Sequence, residues 1–107
     1  MLIQPRNVSV TESEKLVLKC GGLGQPIFDI MWYKNNELIT SPFTNFTNGN
    51  TNSRNGSLII PATNITDEGF YTCVLKNDLG SVTSMAAWID VQCKRYKHIF
   101  LIVNNID

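Results

Sequence analysis

The chain has a single histidine, His98, near its C-terminus. A Ser-His-Asp or Cys-His arrangement needs an imidazole within hydrogen-bond reach of its nucleophile, so such catalysis would hang on a residue outside any core. Cys93 and His98 together are too few for a structural zinc site, which takes four ligands. Phosphate-cradling glycine loops of the P-loop and Rossmann kinds are absent, so no cofactor and no small-molecule substrate are expected. Formal net charge is zero, which argues against a dedicated nucleic-acid binder. The longest late apolar run, Ile99-Phe100-Leu101-Ile102-Val103, falls far short of the roughly 18 residues of a membrane span. Met1-Leu2-Ile3 is followed at once by Gln4-Pro5, leaving no room for a signal-peptide core. The sequence therefore reads as a soluble mature fragment, an excised domain, or a domain with an added Met.

What is present suits one small domain. With 107 residues and 43% hydrophobic content, the chain can bury a single core. Leu16, Leu18 and Cys20 recur at every second position, as do Tyr71, Cys73 and Leu75. Period-two spacing places each set on one face of a β-strand, and Ile30 and Trp32 repeat the pattern on a third. The segment Asp67-Glu68-Gly69-Phe70-Tyr71-Thr72-Cys73 follows the tryptophan at a distance.

The order Cys20, Trp32, Cys73, with Asp67, Gly69 and Tyr71 before the second cysteine, resembles the immunoglobulin superfamily. The cysteine separation, and Leu58 and Ile60 ahead of Asp67, look like its intermediate set. This resemblance spans about Ile3 to Gln92. It implies an all-β, two-sheet antiparallel Greek-key sandwich with one inter-sheet disulfide, Cys20–Cys73. Trp32 is expected against that bridge, and the Tyr71 hydroxyl is expected to bond back to the chain upstream. Asp67 would tie down the same corner, with Arg54 as a candidate partner. The bridge closes a loop worth roughly 4 kcal/mol on chain entropy. Glu14 and Asn36 depart from the family pattern, where glycines are common.

Strands are expected at Pro5–Val10, Glu14–Cys20, Phe28–Lys34, Glu37–Thr40 beyond an Asn35-Asn36 turn, Phe70–Lys76 and Val82–Val91. A loop and one short edge strand are expected in 41–54. Asn55-Gly56 reads as a type I′ hairpin signal feeding Leu58-Ile59-Ile60. The domain is expected to cover residues 3–92, and 93–107 to be a tail or the start of a following module.

Alternation also defines an outer surface. If Trp32, Cys73, Ala87 and Ile89 point inward, then Met31, Tyr33, Val74 and Trp88 form an outward apolar patch on one sheet. Met and aromatic residues are enriched at interfaces. Sequons at Asn7, Asn45, Asn55 and Asn64 favour a secretory origin and glycosylation. Asn7, Asn55 and Asn64 are expected on the opposite sheet and Asn45 on the connection between sheets, leaving the patch bare. Lys94, Arg95 and Lys97 form a small basic cluster that suits heparan-type polyanions. Cys93 has no partner in the family pattern, so a truncated boundary, an intermolecular bridge and a free thiol are all open. The resemblance implies a non-catalytic extracellular recognition module of a receptor or adhesion protein, which binds a protein partner or itself. A structural spacer of a matrix or muscle-type protein is the alternative.

Overall fold

The structure, a computed structural model, describes residues 3–23, 28–40, 44–48 and 53–93, with backbone alone for 44–48 and 53–55. The described strands are β1 (Val8–Thr11), β2 (Leu16–Leu23), β3 (Asp29–Lys34), β4 (Glu37–Leu38), β5 (Thr44–Asn48), β6 (Ser53–Ile60), β7 (Gly69–Asn77), β8 (Gly80–Thr83) and β9 (Ala87–Gln92). One sheet runs β1-β9-β7-β3-β4, with β8 also paired to β7; the other runs β2-β6-β5. Alternating apolar residues from both sheets meet between them. Leu16, Leu18, Cys20 and Leu58 come from one side, and Ile30, Trp32, Tyr71, Cys73 and Ile89 from the other; all are buried. Each large aliphatic side chain so buried contributes about 1.5–3 kcal/mol of transfer free energy. The Cys20–Cys73 disulfide links β2 to β7 across this core, with Cα atoms 6.6 Å apart.

The corner before β7 is fixed by hydrogen bonds. A short 3-10 turn, Ile65–Asp67, is capped by Asn64, whose side chain accepts from Thr66 N. The Asp67 carboxylate accepts from Asn64 N at 2.7 Å, completing a reciprocal capping box. The Tyr71 hydroxyl donates to Asp67 O, and Lys34 Nζ donates to Thr66 O. Burial, then the Asp67 charge, pushes the Tyr71 phenol from 10.0 to about 12. Asp67 thus spends its carboxylate on the backbone; the Arg54 side chain lies outside the described residues.

Strand positions differ from expectation at three places. Asn55 and Gly56 do not turn. They continue β6, where Gly56 is opposite Cys20 on one side and Phe46 on the other. Eight residue pairs between β2 and β6 outweigh a two-residue turn preference. The turn that does form is Asn35-Asn36, with φ of 49° and 67°, values asparagine tolerates.

The expected strand Val82–Val91 is two strands separated by a bulge. From Val74↔Thr83 to Tyr71↔Ala87, three steps along β7 face four along its partner. The extra residue is accommodated at Met85-Ala86. Ser84 and Cys73 exchange two bonds there, Cys73 N to Ser84 Oγ and Ser84 N to Cys73 O, both 2.9 Å. Beyond the bulge, Ala87, Ile89 and Val91 are buried as alternation requires.

The first segment also divides. Ile3 bridges to Gly21 in the β2 sheet, Pro5 is buried, and β1 then pairs with β9 in parallel. The chain crosses between sheets at residues 4–7. Asn7 therefore does not lie on the sheet opposite the patch; it adjoins β9.

Candidate protein-contact face

The outer surface of the larger sheet is set by register. On β3 and β7, Met31 is opposite Val74 and Tyr33 is opposite Thr72. On β7 and β9, Phe70 is opposite Trp88. Met31, Tyr33 and Val74 are half-buried, while Trp88 and Phe70 are 38% and 52% exposed. The Phe70 and Trp88 rings pack with centroids 4.7 Å apart at 55°, a tilted arrangement favourable to aromatic quadrupoles.

The four residues expected in the patch are not one cluster. Trp88 is level with Phe70, and Val74 lies four positions further along β7, about 13 Å at a strand's rise per residue. Thr72 and Tyr33 fill the interval. The structure adds Phe70, which outward alternation on β7 had already marked but which sequence reasoning left out of the patch. It also adds a shallow hollow of about 430 Å³ lined by Asn35, Asn36, Phe70, Thr72 and Ala86. That hollow exists because the bulge carries Ala86 past Thr72. Asn35 pins its rim: its side-chain oxygen accepts from Phe70 N at 3.0 Å, and its own N–H donates to Phe70 O at 2.8 Å. A Cβ on Gly69 would stand 2.9 Å from the same oxygen, so glycine is what lets the turn close on β7.

The sequon residues are distributed differently from expectation. Asn45 is in β5, an edge strand, rather than on a connection between sheets. Asn55 is in β6, and Asn64 caps the 3-10 turn. The side chains of Asn45 and Asn55 lie outside the described residues. Asn7 Oδ1 accepts from Trp88 N at 2.7 Å, so one sequon borders the patch directly. Near it, hydrogen bonds with the side chains of Gln92, Glu68 and Ser9, in that order, hold the Asp90 carboxyl below its ordinary range.

A second exposed apolar group was not anticipated. Leu23, Leu79 and Val82 are all exposed at the far end of the sandwich, around a hollow of about 320 Å³. Cys93 is half-buried and outside any disulfide. Lys94, Arg95 and Lys97 lie outside the described residues. Among the described residues no group of three or more His, Cys, Asp or Glu is arranged to hold a metal ion.

Two packed sheets, a cross-sheet disulfide beside a buried indole, and a tyrosine corner define an immunoglobulin-like sandwich. The immunoglobulin I-set domain family matches residues 1–88, and the chain belongs to it. It is 36% identical over 80 residues to hemicentin-1 of Mus musculus, 75% of this chain and 1% of that protein. It is 32% identical over 92 residues to roundabout homolog 4 of Mus musculus, covering 84% of this chain and 8% of that one. Against neogenin of Homo sapiens it is 30% identical over 89 residues, 82% of this chain and 6% of neogenin. The chain thus spans a small part of each relative. Among solved structures, a chimeric titin Z1Z2 superposes with TM-score 0.73 at 21% identity, covering 87% of this chain and 93% of that one. A titin M10–obscurin-like 1 Ig complex superposes at 0.68 with 29% identity, covering 86% and 91%.

Proposed function

We propose that the domain is a non-catalytic protein-recognition module of a receptor or adhesion protein, working at the cell surface or outside the cell. It contacts a protein partner, or a second copy of itself, through the outer face of the β1-β9-β7-β3-β4 sheet. The observation that carries this reading is the outward row of Met31, Val74, Tyr33 and Phe70, with Trp88 at its β9 margin. Apolar and aromatic side chains in one row on a sheet face match the composition of protein contact sites. A relative named as a receptor, netrin receptor DCC of Rattus norvegicus, supports the same reading. The folded unit is taken as residues 3–92.

Sedimentation velocity of the secreted protein over a concentration range, with and without reductant, tests it. A shift with concentration that Tyr33→Ser with Trp88→Ser abolishes, in a variant that melts normally, supports the face. Unchanged association in that folded variant removes it. A shift abolished by reductant alone assigns association to Cys93. The likeness to titin modules favours a second reading, a spacer in a multidomain chain, and a monomer at all concentrations that captures no partner supports it.

A further inference from the structure

The β9 margin of the outer face holds a sequon and an aromatic pair in one small area. Ser9 is opposite Asp90 in the parallel β1–β9 ladder, and its hydroxyl donates to Asp90 Oδ2 at 3.1 Å, so both point outward. Asn7 and Trp88 each precede these by two residues, and period-two alternation puts them on the same face. The bond from Trp88 N to Asn7 Oδ1, 2.7 Å, confirms that the two are neighbours and fixes the carboxamide. Nδ2 shares a carbon with that oxygen, so it too is held at the Trp88 main chain, from which the exposed indole projects, while Asn7 remains exposed. On its other side Asn7 lines an open hollow of about 570 Å³ with Ile3, Gln4, Pro5, Arg6 and Met85.

We propose that Asn7 carries an N-linked saccharide whose first ring lies against the Trp88–Phe70 pair and covers it. The donor is a lipid-linked oligosaccharide diphosphate. An Nδ2–C1 bond forms, the C1–O bond to diphosphate breaks with its electron pair leaving on that oxygen, and one Nδ2 proton departs to the released diphosphate. The carboxamide oxygen is untouched, so its bond from Trp88 N survives modification. One Nδ2 hydrogen is lost, and Nδ2 makes no hydrogen bond among the described residues. The C–H face of a pyranose is electropositive and the indole face electronegative, so stacking is favourable. Two of this face's features then divide: carbohydrate occupies the Trp88 margin, and Tyr33, Met31 and Val74 stay open for protein. The inference rests on the extracellular reading above, because only the secretory pathway supplies the donor.

Glycopeptide mass spectrometry of protein secreted from glycosylating cells reads occupancy at each sequon. Acrylamide quenching of tryptophan emission reads cover, since Trp32 is buried and Trp88 is the indole a quencher reaches. Ser9→Ala removes the modification and keeps Asn7; Ser9→Thr keeps the sequon. Wild type and Ser9→Thr are expected to show Asn7 occupied and quenching about twofold below Ser9→Ala, the scale set by covering one face of the ring. Nuclear Overhauser contacts between the first sugar ring and the Trp88 indole in the wild type give a readout that needs no variant. Asn7 empty while other sequons are filled overturns the proposal alone. Asn7 occupied with unchanged quenching and no such contacts overturns the stacking. No sequon filled in secreted protein overturns both this proposal and the extracellular reading.

Discussion

Strands β3 and β7 present two opposite faces built from the same backbone, and the two faces obey different rules. Inward, Trp32, Tyr71 and Cys73 are almost wholly buried, and each has its position fixed by covalent bonding, hydrogen bonding or close packing. Outward, Met31, Tyr33, Thr72 and Val74 are half-buried and stand opposite one another across the strands. Register ties the faces together, because a one-residue slip would exchange them. Packing energy therefore specifies the inner face, and the outer face inherits its geometry without being needed for stability. Residues there are free to be chosen for a partner.

This contrast can be broken from the inside first. Replacing Cys20 and Cys73 together by Ala is expected to lower stability by about 4 kcal/mol, read as a lower midpoint in guanidinium unfolding with a steeper slope, because the unfolded chain loses its cross-link and exposes more surface. Gly69→Ala is the next largest. The new Cβ meets the pinned Asn35 carboxamide at 2.9 Å, and overpacking of this kind costs roughly 1–3 kcal/mol, measurable by thermal melting. Tyr71→Phe removes the corner hydrogen bond and is expected to cost about 1 kcal/mol.

The same residue gives a pH signature. The folded phenol is at about 12 against an ordinary 10.0, so the fold favours the neutral hydroxyl. Stability from this group is intact below about pH 10 and declines between 10 and 12, as the unfolded chain ionises first. Melts across that range should show the decline in wild type, and Tyr71→Phe should lack this component of it. The smallest effect is expected outside: Met31→Ser should shift stability by no more than about 1 kcal/mol while weakening association in sedimentation. A loss as large as that of Gly69→Ala would erase the distinction between the faces.

How much of this was legible depended on whether local or distant pairing decided the outcome. Cys20, Trp32, Cys73 and Tyr71 were readable because alternation is local and sets their inward facing, while the resemblance to the immunoglobulin superfamily supplied their roles. Asn35-Asn36 was readable as a turn because the flanking strands are adjacent in sequence. Asn55-Gly56, with the stronger turn preference, was misread because β6 is fixed by β2, more than thirty positions away in sequence. The bulge at Met85-Ala86 was equally hidden, since it is a mismatch in count between two strands and neither strand shows it alone. The site inherits both kinds of feature. Tyr33 and Trp88 were placed by alternation, but the hollow beside Phe70 comes from the bulge, and Asn7 at Trp88 comes from a crossing between sheets that composition does not mark.

The parallel pairing of β1 with β9 has a mechanical consequence. Force drawn in ahead of Val8 and out beyond Gln92 pulls these two strands lengthwise in opposite directions. Four registered residue pairs, Val8↔Ile89 through Thr11↔Gln92, then bear the load together in shear. An antiparallel pair held the same way would open one rung at a time. A domain loaded in shear resists stretching until most of the ladder fails at once, so the edge that borders the contact face is also the seam on which extension of the module would turn.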